Sequence, residues 1–128
     1  MLTARDGTGE QEAPVDVEQV ALFPDAGAAT REGTRLAEEL RACDARSDLV
    51  TVEAVRVGAQ GTGVAYRYPS DGGASPFGTY VVLSRRGTAL LLVTSDGGEG
   101  TPQGARRPVL RRAQQAWELL CRYDSAGC

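Results

Sequence analysis

Histidine, lysine, asparagine and isoleucine are all absent from these 128 residues, and the fourteen positive charges are all arginine. Each absence removes a chemistry. Without histidine the chain cannot build a Ser-His-Asp or Cys-His pair of its own, and the commonest transition-metal ligand is missing. Without lysine there is no Walker-type phosphate lysine and no Schiff-base amine. Without asparagine there is no acceptor for N-glycosylation. Lysine, asparagine and isoleucine share A/T-rich codons, so their joint loss points to a high-GC genome rather than to a chemical demand. Cysteine is scarce: Cys43, Cys121 and Cys128 make an odd count with no paired CxxC spacing, so no zinc site is expected. Aromatic residues are only 5% of the chain, which leaves few beyond those needed for packing. No apolar run has the length of a membrane span.

What is present suits one soluble domain. The length allows a single hydrophobic core, and 41% apolar with 24% charged residues is ordinary globular composition. A net charge of −3 gives no general attraction to nucleic acid or to anionic membrane. Residues 1–16 are polar and acidic without periodicity, and read as a disordered leader before a single domain over 17–128. They carry neither the basic nor the apolar region of a signal peptide, so any targeting or anchoring segment is expected upstream.

The periodicities predict seven elements. A strand over Val17–Phe23 ends at Pro24, and Asp25 caps a helix over about 26–43. Ala29, Gly33, Leu36, Leu40 and Cys43 trace its apolar face, and Arg35 can pair with Glu39. Val50–Val57 alternates imperfectly, which suggests a bulge, and Gly58–Gly63 then forms a turn. Val64, Tyr66 and Tyr68 share one face of the next strand. Pro69–Pro76 reads as a loop. Two further strands, Phe77–Arg85 and Thr88–Thr94, are joined by a tight hairpin at Arg86-Gly87. A last helix is expected to start at Pro108 and run to about Arg122, burying Val109, Ala113, Ala116, Trp117 and Leu120. The fold class is therefore α+β: a five-stranded, mainly antiparallel sheet with two flanking helices, order β-α-β-β-β-β-α.

A strand ending in Phe23-Pro24, an Ala-rich helix with Leu36 and Leu40 closing in Cys43, four strands and a terminal helix with a late cysteine form a recognisable order. Over roughly 17–128 it resembles the actinobacterial extracellular sensor-domain family, the PknH-like external domains of receptor serine/threonine kinases and related secreted lipoproteins. Thr79–Thr94 lacks the cysteine that mycobacterial members carry in their late strands, so their disulfide pattern does not transfer. The resemblance implies a non-catalytic, extracytoplasmic, ligand-binding domain, secreted or cell-surface. Its partner would be a small molecule or a cell-envelope component, with no nucleic acid, no membrane insertion and no cofactor.

Three groups of residues are candidates for chemistry. Arg107, Arg111 and Gln114 share a helical face within an arginine-rich segment, expected at a helix N-terminus that favours anions, and a phosphate- or carboxylate-bearing ligand would dock there. Ser-Asp-Gly-Gly occurs at 70–73 and again at 95–98. Asp71 and Asp96 would make a paired-carboxylate site for a cation or for hydrolysis if those loops meet, although Asp-Gly is ordinary turn chemistry. Tyr66 and Tyr68 offer a ligand platform, against the plainer reading of core packing. Among the cysteines the spacing favours a Cys121–Cys128 disulfide that pins the C-terminus. Cys43–Cys128 and three reduced thiols are the alternatives, and Cys43 is expected to be buried.

Overall fold

The computed structural model describes residues 15–120. Seven elements follow in the expected order: β1 (Val15–Leu22), α1 (Ala26–Asp44), β2 (Val50–Ala54), β3 (Ala59–Ser70), β4 (Gly73–Arg86), β5 (Ala89–Asp96) and α2 (Pro102–Leu119). The strands form one antiparallel sheet in the order β1-β5-β4-β3-β2, so β1 and β2 are its edges. The fold is α+β as the periodicities require. The leader expected over 1–16 and the Cys121–Cys128 pair fall largely or wholly outside the described residues; Val15 and Asp16 already belong to β1.

Register places one helix on each face of the sheet. Tyr80, Val82, Leu91 and Val93 point toward α2 and form the main core with Val109, Ala113 and Leu120. The alternate residues Leu83, Leu90 and Leu92 face α1 and are only half-buried. The run Leu90–Val93 is therefore apolar on both sides because both sides are covered, unequally. α1 approaches through its small residues, with Ala29 and Ala37 buried. Gln60 ties it down, donating to the Thr30 carbonyl at 3.2 Å and to Thr34 Oγ1 at 3.0 Å. Asp25 caps α1 as expected, its Oδ1 accepting from the Ala28 amide at 2.7 Å. Arg35 pairs with Glu39 as well as Glu32.

Five expectations are corrected. The turn expected over Gly58–Gly63 lies at 55–58, because β3 already begins at Ala59. Cys43 is exposed and free, not buried. At about 100° per residue, the buried side of α1 runs through Ala29, Ala37 and half-buried Asp44, which turns Cys43 toward solvent. α2 begins at Pro102, not Pro108. Thr101 is its N-cap, its Oγ1 accepting from the Gly104 amide at 3.1 Å, and Pro108 lies inside the helix. The irregularity expected in β2 lies elsewhere: β2 stops at Ala54 in regular register, and the shifts fall in the β3–β4 ladder between Ala59 and Thr62 and between Arg67 and Pro69. The loop expected over 69–76 is mostly strand, because Asp71 and Gly72 make a tight two-residue turn. Pro69 is tolerated there since β2 pairs no further along β3 than Tyr66, which leaves that stretch as an edge. Gly87 turns the next hairpin with φ 56°, as its position requires. None of the described helices is long and apolar enough to cross a membrane.

Candidate functional site: an arginine-lined groove between α2 and the end of β2

α2 lies mainly over β4 and β5, so its outer flank overhangs the β3–β2 side of the sheet. Two features open that side. β2 ends at Ala54, and residues 55–58 turn back into β3, held by the Val55 amide donating to the Gly61 carbonyl at 3.0 Å. On β3, Gly63 carries no side chain, and a Cβ there would strike the Tyr80 hydroxyl. The Tyr80 ring therefore lies flat across β3 and reaches β2, where its hydroxyl donates to Glu53 Oε1. Arg106 Nε donates to the same oxygen at 2.7 Å, and its guanidinium stands 5.7 Å from the Tyr80 ring centre. The Arg106 guanidinium, then the Tyr80 hydroxyl, hold the Glu53 carboxyl below its ordinary range. Burial, then the Glu53 charge, push the Tyr80 phenol well above its ordinary value.

Arg106, spent on Glu53, also lines a groove of about 560 Å³, a volume suited to a small organic ligand. Arg107, Arg111 and Gln114 line it from α2, Arg56 from the 55–58 turn, and Val55, Val57 and Leu110 supply apolar surface. Arg107 and Arg111 are one helical turn apart, about 6 Å between their Cβ atoms. Among the described residues no carboxylate forms an ion pair with Arg56, Arg107 or Arg111. The other α2 arginine, Arg112, is spent on the opposite flank, pairing with Asp16 at 3.0 Å and donating to the Thr94 carbonyl. The groove thus holds three guanidiniums free to engage an anion, over an apolar floor.

The structure brings Arg107, Arg111 and Gln114 together as the helical spacing predicts, but in the second to fourth turns of α2 rather than at its N-terminus. Their attraction for anions comes from the guanidiniums and not from the helix end. Arg56 was missed. The signal was present in Val55-Arg56-Val57, where alternation sends the arginine out between two inward valines, but nothing local said that α2 would face it.

Tyr66, Tyr68 and Asp96 gather on the opposite face of the sheet. The two rings meet edge to face at 5.8 Å, and the Tyr68 hydroxyl donates to Asp96 Oδ1 at 3.0 Å while accepting from the Gly97 amide at 2.8 Å. Burial leads the causes that raise the Tyr68 phenol above its ordinary value. Asp96 therefore organises the end of β5, and Asp71 sits exposed at the β3–β4 turn. Among the described residues no hydrogen bond joins the two carboxylates, and no group of three or more metal-binding side chains is found. No family model, no curated protein and no solved structure matches the chain, so its own geometry carries the functional reading.

Proposed function

We propose that this chain is a non-catalytic ligand-binding domain of the extracytoplasmic sensor type, whose ligand is a small molecule or cell-envelope component bearing a phosphate or carboxylate group. The observation that carries the reading is the convergence of Arg56, Arg107 and Arg111, without acidic partners among the described residues, on one groove. Guanidiniums grip such anions through paired N–H donors, and an anion held by two or three of them gains charge-assisted bonds. The apolar floor favours a ligand with a body beyond its anionic group, since inorganic phosphate alone would leave the half-buried Val55 and Leu110 uncovered. The resemblance to extracellular sensor domains agrees with this role and with a location outside the cytoplasm.

The test compares inorganic phosphate with octyl phosphate by NMR titration of the folded chain. Both should shift the amides of 55–57 and 106–114, octyl phosphate at lower concentration, and added salt should weaken both. Arg107→Gln combined with Arg111→Gln should abolish the shifts without altering the fold. Shifts that survive the double substitution, or no shifts with either probe, would reject the groove as the site. A second reading, a protein-interaction module, has its own support: Leu22 is 69% and Val20 41% exposed on the edge strand β1.

A further inference from the structure

The two edges of the sheet are treated differently. β2 is five residues long, and its outward Val52 amide donates to Asp44 Oδ2 at 2.9 Å, so the end of α1 blocks that edge. β1 has eight residues in unbroken register with β5. The Phe23 amide donates to the Thr88 carbonyl at 2.9 Å, which sets the parity of the ladder. Odd-numbered residues of β1 direct their backbone groups at β5, and Asp16, Glu18, Val20 and Leu22 direct theirs outward. No strand among the described residues accepts them. β1 contains no proline, no basic residue and no bulge, and of the usual protections of an edge it carries only the charges of Asp16 and Glu18.

The side chains of those outward-bonding residues lie on the α2 face, as the Asp16–Arg112 ion pair shows. They are graded along the strand, acidic at 16 and 18 and apolar at 20 and 22. Leu119 is seven residues beyond Arg112, hence on the same flank of α2, and is 46% exposed. Trp117 bonds to the Arg85 carbonyl, beside the hairpin that ends at Ala89, the register partner of Leu22. Leu119 therefore belongs to the Leu22 end of β1. Of the four large apolar residues exposed among the described residues, three, Val20, Leu22 and Leu119, gather there.

We infer that β1 is a homotypic docking edge, and that a second copy of this chain pairs with it antiparallel about Val20 to make a continuous ten-stranded sheet. The charge pattern selects this partner. Antiparallel pairing places Leu22 opposite Glu18 of the second copy and Val20 beside Val20, with the acidic residues at opposite ends. Parallel pairing would stack Asp16 on Asp16 and Glu18 on Glu18. The two-fold axis sets Val20 against Val20 at the centre of one self-complementary contact, with both α2 helices and both arginine grooves on the same face.

Sedimentation equilibrium from micromolar to millimolar concentration should show a monomer–dimer equilibrium. Val20→Pro removes an N–H that β5 does not use, so it should leave a folded monomer with unchanged circular dichroism. Leu22→Glu, opposite Glu18, should also abolish the dimer, whereas Leu22→Arg should retain it; both sit at an exposed position and should fold. Hydrogen exchange should show the Glu18, Val20 and Leu22 amides gaining protection with concentration, while those of Val17, Gln19 and Ala21 are protected throughout. A wild-type monomer at millimolar concentration would overturn the inference. So would a dimer indifferent to the charge placed at position 22, or protection that rises without the alternation. If Val20→Pro fails to fold, the Leu22 pair and the exchange pattern still decide.

Discussion

Replacing Tyr80 by Phe tests the triad of Tyr80, Glu53 and Arg106. Tyr80 is 2% exposed, and its hydroxyl bonds to the Glu53 carboxylate, which also accepts from Arg106. A hydrogen bond to a charged group contributes about 1.5–3 kcal/mol, and the neutral equivalent about 0.5–1.5 kcal/mol. The Arg106–Glu53 pair is itself nearly half exposed on both sides and adds little. At neutral pH, Tyr80→Phe should therefore lower the unfolding free energy by roughly 2 kcal/mol, or the melting temperature by roughly 8 °C. Phe keeps the ring over Gly63, so no cavity term enters. The Glu53 carboxyl is held below its ordinary value of 4.5 in the folded state, so its contribution is complete above that pH. It is lost as pH falls through the lower, folded value, where the bond becomes neutral. The difference between wild type and Tyr80→Phe should then shrink by about half. Urea unfolding of both proteins over a pH series descending from 7 measures this. A difference below about 0.5 kcal/mol at pH 7, or one that stays the same size after the Glu53 carboxyl is seen by NMR to have protonated, would refute the reasoning.

Two further outcomes follow from the corrected helices. Cys43 is exposed on α1, so native, unreduced protein should be alkylated at Cys43 as fast as a small-molecule thiol, as read by peptide mapping; protection of that peptide until unfolding would contradict the orientation of α1. Pro108 lies inside α2, where it removes one helical hydrogen bond, so Pro108→Ala should stabilise the domain by about 1–3 kcal/mol in urea unfolding. Neutral or destabilising behaviour would mean that the helix begins near Pro108 after all.

Element order was legible because each element announces its own period. Leu36 and Leu40 on α1, the alternation of Val64, Tyr66 and Tyr68, and Val109, Ala113 and Leu120 on α2 need no tertiary knowledge. So were the cap at Asp25, the Gly87 turn and the shared face of Arg107, Arg111 and Gln114. Errors fell where two local signals compete. Both Pro102 and Pro108 can open a helix; Thr101 decides in favour of the first because it supplies the capping oxygen, and the packing of Val109 and Ala113 holds the helix across Pro108. The face of α1 was misjudged by about an eighth of a turn, because Ala37 and Asp44 join Ala29 on the buried side while Cys43 falls off it.

The sequence by itself determined the fold class, the order of strands and helices and the chemical type of the candidate residues, since periodicity and side-chain chemistry are local properties. Only the tertiary structure decided that Arg106 is neutralised by Glu53, fifty-three residues away, while Arg107, Arg111 and Arg56 line one groove without an acidic partner among the described residues. It also decided that the end of α1 blocks the β2 edge, while no strand among the described residues pairs with the outer side of β1. These depend on which segments are brought side by side, and the pairing of strands distant in sequence is not written in the residues of either strand alone.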